Sequence, residues 1–265
     1  MPLLSSPEVT IFPINDVNRQ FFRGVLLVAE KDMRIYYTKP PVLIFGFLFP
    51  LFMFMAFYLG RQTDLHAFFP GLLAMFVFFI ASSVGPLVTP WEKRAGTYER
   101  LLSFPVTVDT ILLGDVVAGA VYGVIINLVI MVLGTLLLNY NMSISTVSLF
   151  LVSIVVGAFC FSSLGVLLAS PASTNPSNIM MLSSLVRFPL IFISGIFVPL
   201  SALRGISRIT VFFSPITYLV DIFNFSFNVT SRALLLVDFL ALIAFSAVFV
   251  FLSGRLHRRN LMKGI

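Results

Sequence analysis

Apolar blocks long enough to cross a bilayer recur along this chain, and between the second and third of them lies a dense patch of charge. Glu92, Lys93, Arg94, Glu99 and Arg100 fall within nine positions of the stretch Trp91 to Val106. Charge at that density is not held in hydrocarbon, so the stretch is expected in water beside the membrane. Gly96-Thr97 breaks one helical run and opens another. Thr97 is placed to cap the first free amides, and Glu99 then sits near the positive end of the new helix dipole. Pro105 is expected to end that short helix. A charged helix-turn-helix in an otherwise apolar chain reads as a docking element.

With 58% hydrophobic and 11% charged residues, the 265-residue chain is excluded from the soluble globular class. Its 30 Phe residues lie in apolar runs far longer than a strand needs. A transmembrane barrel would alternate polar and apolar positions in short segments, so the fold class is all-α integral membrane. Cys160, the single cysteine, lies in an apolar run and is expected only to pack. Met1 to Asn18 lacks the pattern of a secretory signal, so the first spanning helix is expected to direct insertion.

Six transmembrane helices are expected, at about 40–59, 67–87, 111–138, 144–169, 179–200 and 232–253, in a single membrane domain of 1–265 with no internal repeat. An even number puts both termini on one side. Arg19, Arg23, Lys31, Arg34, Lys39, Lys93, Arg94, Arg100, Arg255, Arg258, Arg259 and Lys263 lie on that side, against Arg61, Arg204, Arg208 and Arg232 opposite. The positive-inside rule therefore places the termini and the Trp91 loop in the cytoplasm of a plasma-membrane protein. The net charge of +6 reflects this asymmetry and attraction to anionic lipid, and no nucleic-acid role is assigned to it.

Residues 15–38 mix charges with Phe21, Phe22, Val25, Leu26, Val28, Ile35 and Tyr36 at helical spacing, which predicts an amphipathic interface helix ahead of Pro40-Pro41. Outside, the connection between the fifth and sixth spans contains the apolar stretch Ile209 to Phe227, interrupted by Pro215. It is expected to be re-entrant or external rather than a seventh span, which would carry the basic C-terminus outside.

Within the spans, Arg187 is the one formal charge deep in an apolar segment. It either faces a cavity or partner, with Asp238 placed to pair with it, or reaches a lipid phosphate. Asn127 either lines a translocation path or bonds a neighbouring helix. Gly119 and Gly123, four apart, allow close helix packing, more readily within the chain than between copies. The Phe-rich first and second spans read as lipid-facing bulk. His66 and His257 fall on opposite sides, so no metal site is expected. Asn228-Val229-Thr230 meets the N-glycosylation pattern on the outer face.

Three motifs in order resemble the permease subunit of ABC type-2 exporters, the drug and polysaccharide export class. Glu30 to Arg34 with Pro40-Pro41 and Phe49-Pro50 is similar to that family's interface helix entering its first span. Glu92, Arg94, Gly96, Thr97, Glu99, Leu101, Leu102 and Pro105 fall on its charged loop between the second and third spans. Ser194 to Leu200 followed by Ser214 to Tyr218 resembles the segment closing the fifth span and the external helices after it. The resemblance implies a pair of permeases, as a homodimer or two related chains, working with two ATPase subunits. Closure of those subunits would move the surface helix, bearing Glu30 and Arg34, and the helix of 92–105. Glu92, Arg94, Glu99 and Arg100 would supply charge-assisted contacts, and Gly96 the bend.

The sequence contains no phosphate-cradling Gly-rich loop followed by Lys and Ser or Thr. The chain is therefore expected to be no enzyme and to bind no cofactor, with ATP and magnesium held by the separate ATPase. Two rival readings make different demands on the sequence. An ion-coupled secondary transporter would need intramembrane carboxylates and inverted repeats, whereas only Asp115 and Asp238 occur, near span ends. A membrane-embedded lipid-modifying enzyme would need clustered His or carboxylates at the bilayer surface. The cargo is not legible.

Overall fold

The computed structural model describes residues 14–61, 65–104, 106–140, 143–171, 175–197, 209–229 and 234–261. It is about 87% helical, with no strand among the described residues. The first helix, α1 (Ile14–Ile35), buries the stripe Val25, Val28, Ala29, Asp32 and exposes Phe22, Leu26 and Leu27. That spacing of three and four is the signature of one helix face. Lys39 is extended, as a residue before proline tends to be, and Pro40 and Pro41 start the next helix. α2 (Pro40–Leu43) continues through a π-helical segment, Ile44–Leu48, into α3 (Phe49–Arg61). The axes on either side of the Lys39 junction differ by 92°. This right angle is the geometry of a helix lying along a surface and a helix entering it.

Next come α4 (Leu65–Ser83) and α5 (Gly85–Ala95), which together form an apolar unit of 31 residues that is buried throughout its most apolar stretch. Its Phe residues were expected to face lipid. Instead α4 is the central helix, with the helices Val108–Leu137, Ile144–Leu168 and Pro215–Ser226 and the π segment packed around it. Phe76 and Phe78 are buried, and the Phe78 ring meets Phe161 edge-on at 5.2 Å. Only the first span keeps the expected exposure, with Phe52 at 63%. In hydrocarbon such packing gains dispersion contact rather than release of water.

Then follow α6 (Thr97–Leu102), α7 (Val108–Leu137) and α8 (Ile144–Leu168). Thr107 and Ser143 cap α7 and α8 through the amides of Thr110 and Thr146. α9 (Pro176–Phe192) has 17 residues and ends well before the expected boundary at 200. At 1.5 Å per residue it is about 25 Å long, short of the hydrocarbon thickness. α10 (Pro215–Ser226) has 12 residues and packs against α4, α8 and α11 with Ile216, Leu219, Ile222 and Phe223 buried. It is too short to span. The last helix, α11 (Leu235–Leu261), runs eight residues beyond the expected end and is mostly exposed along its apolar length.

Among the described residues, four helical units are long and apolar enough to cross a membrane, and the bent pair of α1 with α2 and α3 makes up to five. The chain is thus a multi-pass membrane protein of helices, and α9 is the element that leaves the expected count of six incomplete. Pro105, residues 198–208 with Arg204 and Arg208, and Thr230, Arg232 and Lys263 lie outside the described residues.

Candidate functional site

The polar chemistry of this apolar molecule converges where α1 crosses α7 and meets the end of α5. Gly114 permits the crossing: a Cβ there would lie 2.5 Å from Val28 Cγ1, so no other residue lets α1 sit this close to α7. Beside it, Lys31 Nζ is ion-paired with Glu92 and lies 3.0 Å from Asp32 Oδ1. Asp32 is fully buried, Glu92 is 1% exposed, and the carboxyl of Asp115 on α7 meets that of Asp32. One ammonium group therefore pairs with carboxylates from two helices, with Asp115 of a third buried beside Asp32. Buried charges are tolerated only when paired, which makes the spacing of these helices hard to change by small steps.

An aromatic clamp closes the junction. The Tyr36 and Trp91 rings stack with centroids 5.6 Å apart, and Lys39 Nζ lies 4.9 Å from the first and 4.6 Å from the second. Tyr37 packs edge-on against Tyr122 at 4.6 Å, and the Tyr122 hydroxyl donates to the Tyr37 carbonyl. Tyr98 on α6 is 2% exposed and its hydroxyl finds no hydrogen-bond partner among the described residues.

Burial alone would lower the Lys31 ammonium, yet Asp32 and Glu92 push it above its ordinary range. Burial and then the Glu92 charge push the Tyr36 phenol up to about 12. Tyr98 is raised by burial first and by Asp115, Glu92 and Glu99 after it. Lys31 stays charged and both phenols stay neutral near neutral pH.

The expected coupling residues divide into two sets. Glu92 was placed in water as a partner contact, but the helix carries it past Leu87 into the interior, where Lys31 pairs with one of its two oxygens. Thr97 was expected to cap α6 with its hydroxyl. It is instead the first helical residue, donating to the Glu92 carbonyl at 3.2 Å, because Gly96 occupies the capping position. Gly96 adopts φ 65° and ψ 16°, ending α5 and starting α6, a left-handed conformation that glycine takes without a Cβ penalty. Glu99 falls in the first turn of α6. Arg94, Gly96, Glu99 and Arg100 are exposed, as are Glu30 and Arg34, which pair with each other at 2.6 Å. The turn thus presents a charged outer face while its inner face is locked to α1.

The intramembrane candidates lie elsewhere. Arg187 is 1% exposed, and its guanidinium donates to Ser83 Oγ at 3.0 Å and to the Ser183 carbonyl at 3.4 Å. No ion pair joins it to Asp238 among the described residues. Serine oxygens from the α4 end and from its own helix take the place of the expected carboxylate. Asp238 is buried at the start of α11. Asn127 Nδ2 donates to the Leu73 carbonyl at 2.8 Å, tying α7 to α4. Gly119 and Gly123 pack inside the chain, where a Cβ would strike Ser162 Oγ at 2.1 Å and Ala81 Cβ at 3.0 Å. The His66 ring lies against Tyr140, and His257 Nδ1 is 3.0 Å from Ser170 Oγ.

Sequence reasoning passed over Asp32, Asp115 and Tyr98 as parts of the junction. The signal for Asp32 was present: it continues the stripe of Val25, Val28 and Ala29. Asp115 and Tyr98 join it only through the helix crossing.

Residues 24–228 match the family model described as ABC-2 type transporter, which takes in the junction, Arg187 and α10. No curated protein matches the chain.

Proposed function

This chain belongs to the ABC-2 type transporter family, and from that premise we propose that it is the permease subunit of an ATP-driven exporter, coupled to separate ATPase subunits through α1 and the α5–α6 turn. Membership makes it the membrane domain of an ABC-type transporter and not itself a catalyst. Export, the pairing of two permeases around a path, and ATP with magnesium on the partner are the finer parts of the proposal. So are cytoplasmic termini in the plasma membrane.

The observation that carries the proposal is the Lys31–Glu92 ion pair beneath an exposed charged turn. A push on Arg94, Glu99 or Arg100 is delivered by a short helix to α5, and by the ion pair to α1. Since α5 and α4 form one apolar unit, the same push reaches the central helix of the domain. Discrete movement of packed helices is how local contacts become a change between two states. Cargo passage then follows from separation of two permeases rather than from chemistry at any residue.

The test is co-purification. After gentle extraction from its own cell, the chain should bring down an ATPase carrying a phosphate-binding Gly-rich loop. Reversing charge on the exposed turn, with Glu99→Lys and Arg100→Glu, should release it while the permease remains folded. Recovery of the permease without any ATPase would oppose the proposal.

A further inference from the structure

At its cytoplasmic end α11 stands away from α1 and α7, leaving a pocket of about 820 Å³. Leu112 and Leu113 of α7 and Phe251 of α11 supply an apolar wall. Arg255, Arg258 and Arg259 supply a cationic rim, and all three are exposed. The wall runs into the exposed apolar side of α11, where Phe251 is 66% exposed. Nothing in the coupling proposal uses this pocket.

We propose that the pocket holds one anionic phospholipid of the inner leaflet, with its phosphate among the three arginines and an acyl chain along Leu112, Leu113 and Phe251. Charge complementarity selects the occupant. Guanidinium forks match phosphate oxygens two at a time. A free anion gains nothing from the apolar wall, and a zwitterionic lipid gains less from the rim because its own cation opposes the arginines. Basic pockets between helices at the cytoplasmic face suit anionic head groups for this reason. The inference rests on the membrane placement of the chain and the side assigned to its C-terminus; it does not require an ATPase.

Two residues tune the site. Asp109 Oδ1 accepts from Arg258 Nη2 at 3.0 Å, so part of the rim charge is already neutralised. Gly254 leaves the floor open: a Cβ there would make ordinary contacts at 3.4 Å with Asp109 and 3.5 Å with Arg258. A leucine at this helical position fills the pocket without backbone strain.

The experiment is native mass spectrometry of the detergent-purified full chain, incubated with equimolar phosphatidylglycerol and phosphatidylcholine. One phosphatidylglycerol should be retained about tenfold over phosphatidylcholine. Retention should fall in the Arg255→Gln/Arg259→Gln double variant and in Gly254→Leu, and rise in Asp109→Asn, where Arg258 is freed. The gain in Asp109→Asn keeps the test decisive if a loss variant aggregates. Equal retention of the two lipids, unchanged retention in Asp109→Asn, or full displacement by equimolar inorganic phosphate would overturn the proposal. Co-purification of the ATPase is read separately, so failure of one idea leaves the other standing.

Discussion

Lys31 and Glu92, 61 residues apart in sequence, form an ion pair that fastens α1 to the C-terminal end of the α4–α5 unit. The Glu92 side chain is 2% exposed and that of Lys31 is 25% exposed, so the pair is desolvated on one side and open on the other. Removing Lys31 strands Glu92 and the buried Asp32, whereas removing Glu92 leaves Lys31 its contact with Asp32; in the double variant only Asp32 loses its cation. Single changes Lys31→Met or Glu92→Gln are expected to cost about 2–4 kcal/mol, and the double variant less than the sum of the two. Thermal unfolding in detergent across the four proteins measures this coupling. Strict additivity would mean the pair contributes no mutual stabilisation.

Gly96 offers a cleaner test of the turn because nothing lies within 4 Å of its missing Cβ. Any effect of Gly96→Ala is therefore conformational rather than steric. We expect a cost of about 1–2 kcal/mol, and a smaller one for Gly96→Asn, which tolerates the left-handed region better. Melting temperatures of the two variants decide it. Equal loss in both would point to a contact rather than to backbone preference.

The stability of the junction should fall in alkali. The Tyr36 phenol titrates at about 12 in the folded chain and that of Tyr98 is raised likewise, against an ordinary value near 10. A folded pKa above the unfolded one stabilises fully below the unfolded value and less as pH rises through the window between them. Unfolding free energy should thus be insensitive to these groups up to about pH 10 and decline above it. Tyr98→Phe removes a buried hydroxyl with no partner among the described residues and should raise stability at neutral pH by up to about 1 kcal/mol. It should also shrink the alkaline loss. Denaturant titrations at stepped pH give both quantities.

Arg187 holds Ser83, at the end of α4, from a helix 104 residues later in sequence. Replacing it with Leu removes both hydrogen bonds and with them the polar tie between α9 and Ser83. We expect Arg187→Leu to reduce export or assembly of the complex at least tenfold, since it unties α9 from α4. Lys cannot reproduce the planar fork and should rescue only in part. Wild-type expression and export in the Leu variant would remove Arg187 from the account.

Much of this architecture was legible along the chain. α7 and α8 begin within three residues of expectation because their apolar runs start beside Thr107 and Ser143, whose hydroxyls cap free amides. The helix α1 and its buried face were legible because its apolar residues repeat at three and four. Glu92 was misplaced because composition locates a charge in water unless a partner is known, and Lys31 is 61 residues away. Pro86 and Pro90 resemble helix breaks, yet α5 contains both. In a membrane helix, neighbouring segments can satisfy the carbonyls that a proline leaves free. The early end of α9 at Phe192 was missed because the run stays largely apolar to 200, although Ser194 and Gly195, the latter at φ 83°, mark the stop.

The central claim is that motion at the charged turn is transmitted from an ATPase into this domain. Its most direct test is the ATP hydrolysis rate of the reconstituted complex, compared between wild type and Gly96→Pro, which removes the left-handed turn without touching a charge. The Gly96→Pro complex should still assemble on the charged face but lose cargo-dependent or membrane-dependent stimulation of hydrolysis. A Gly96→Pro complex that is stimulated like wild type would contradict it.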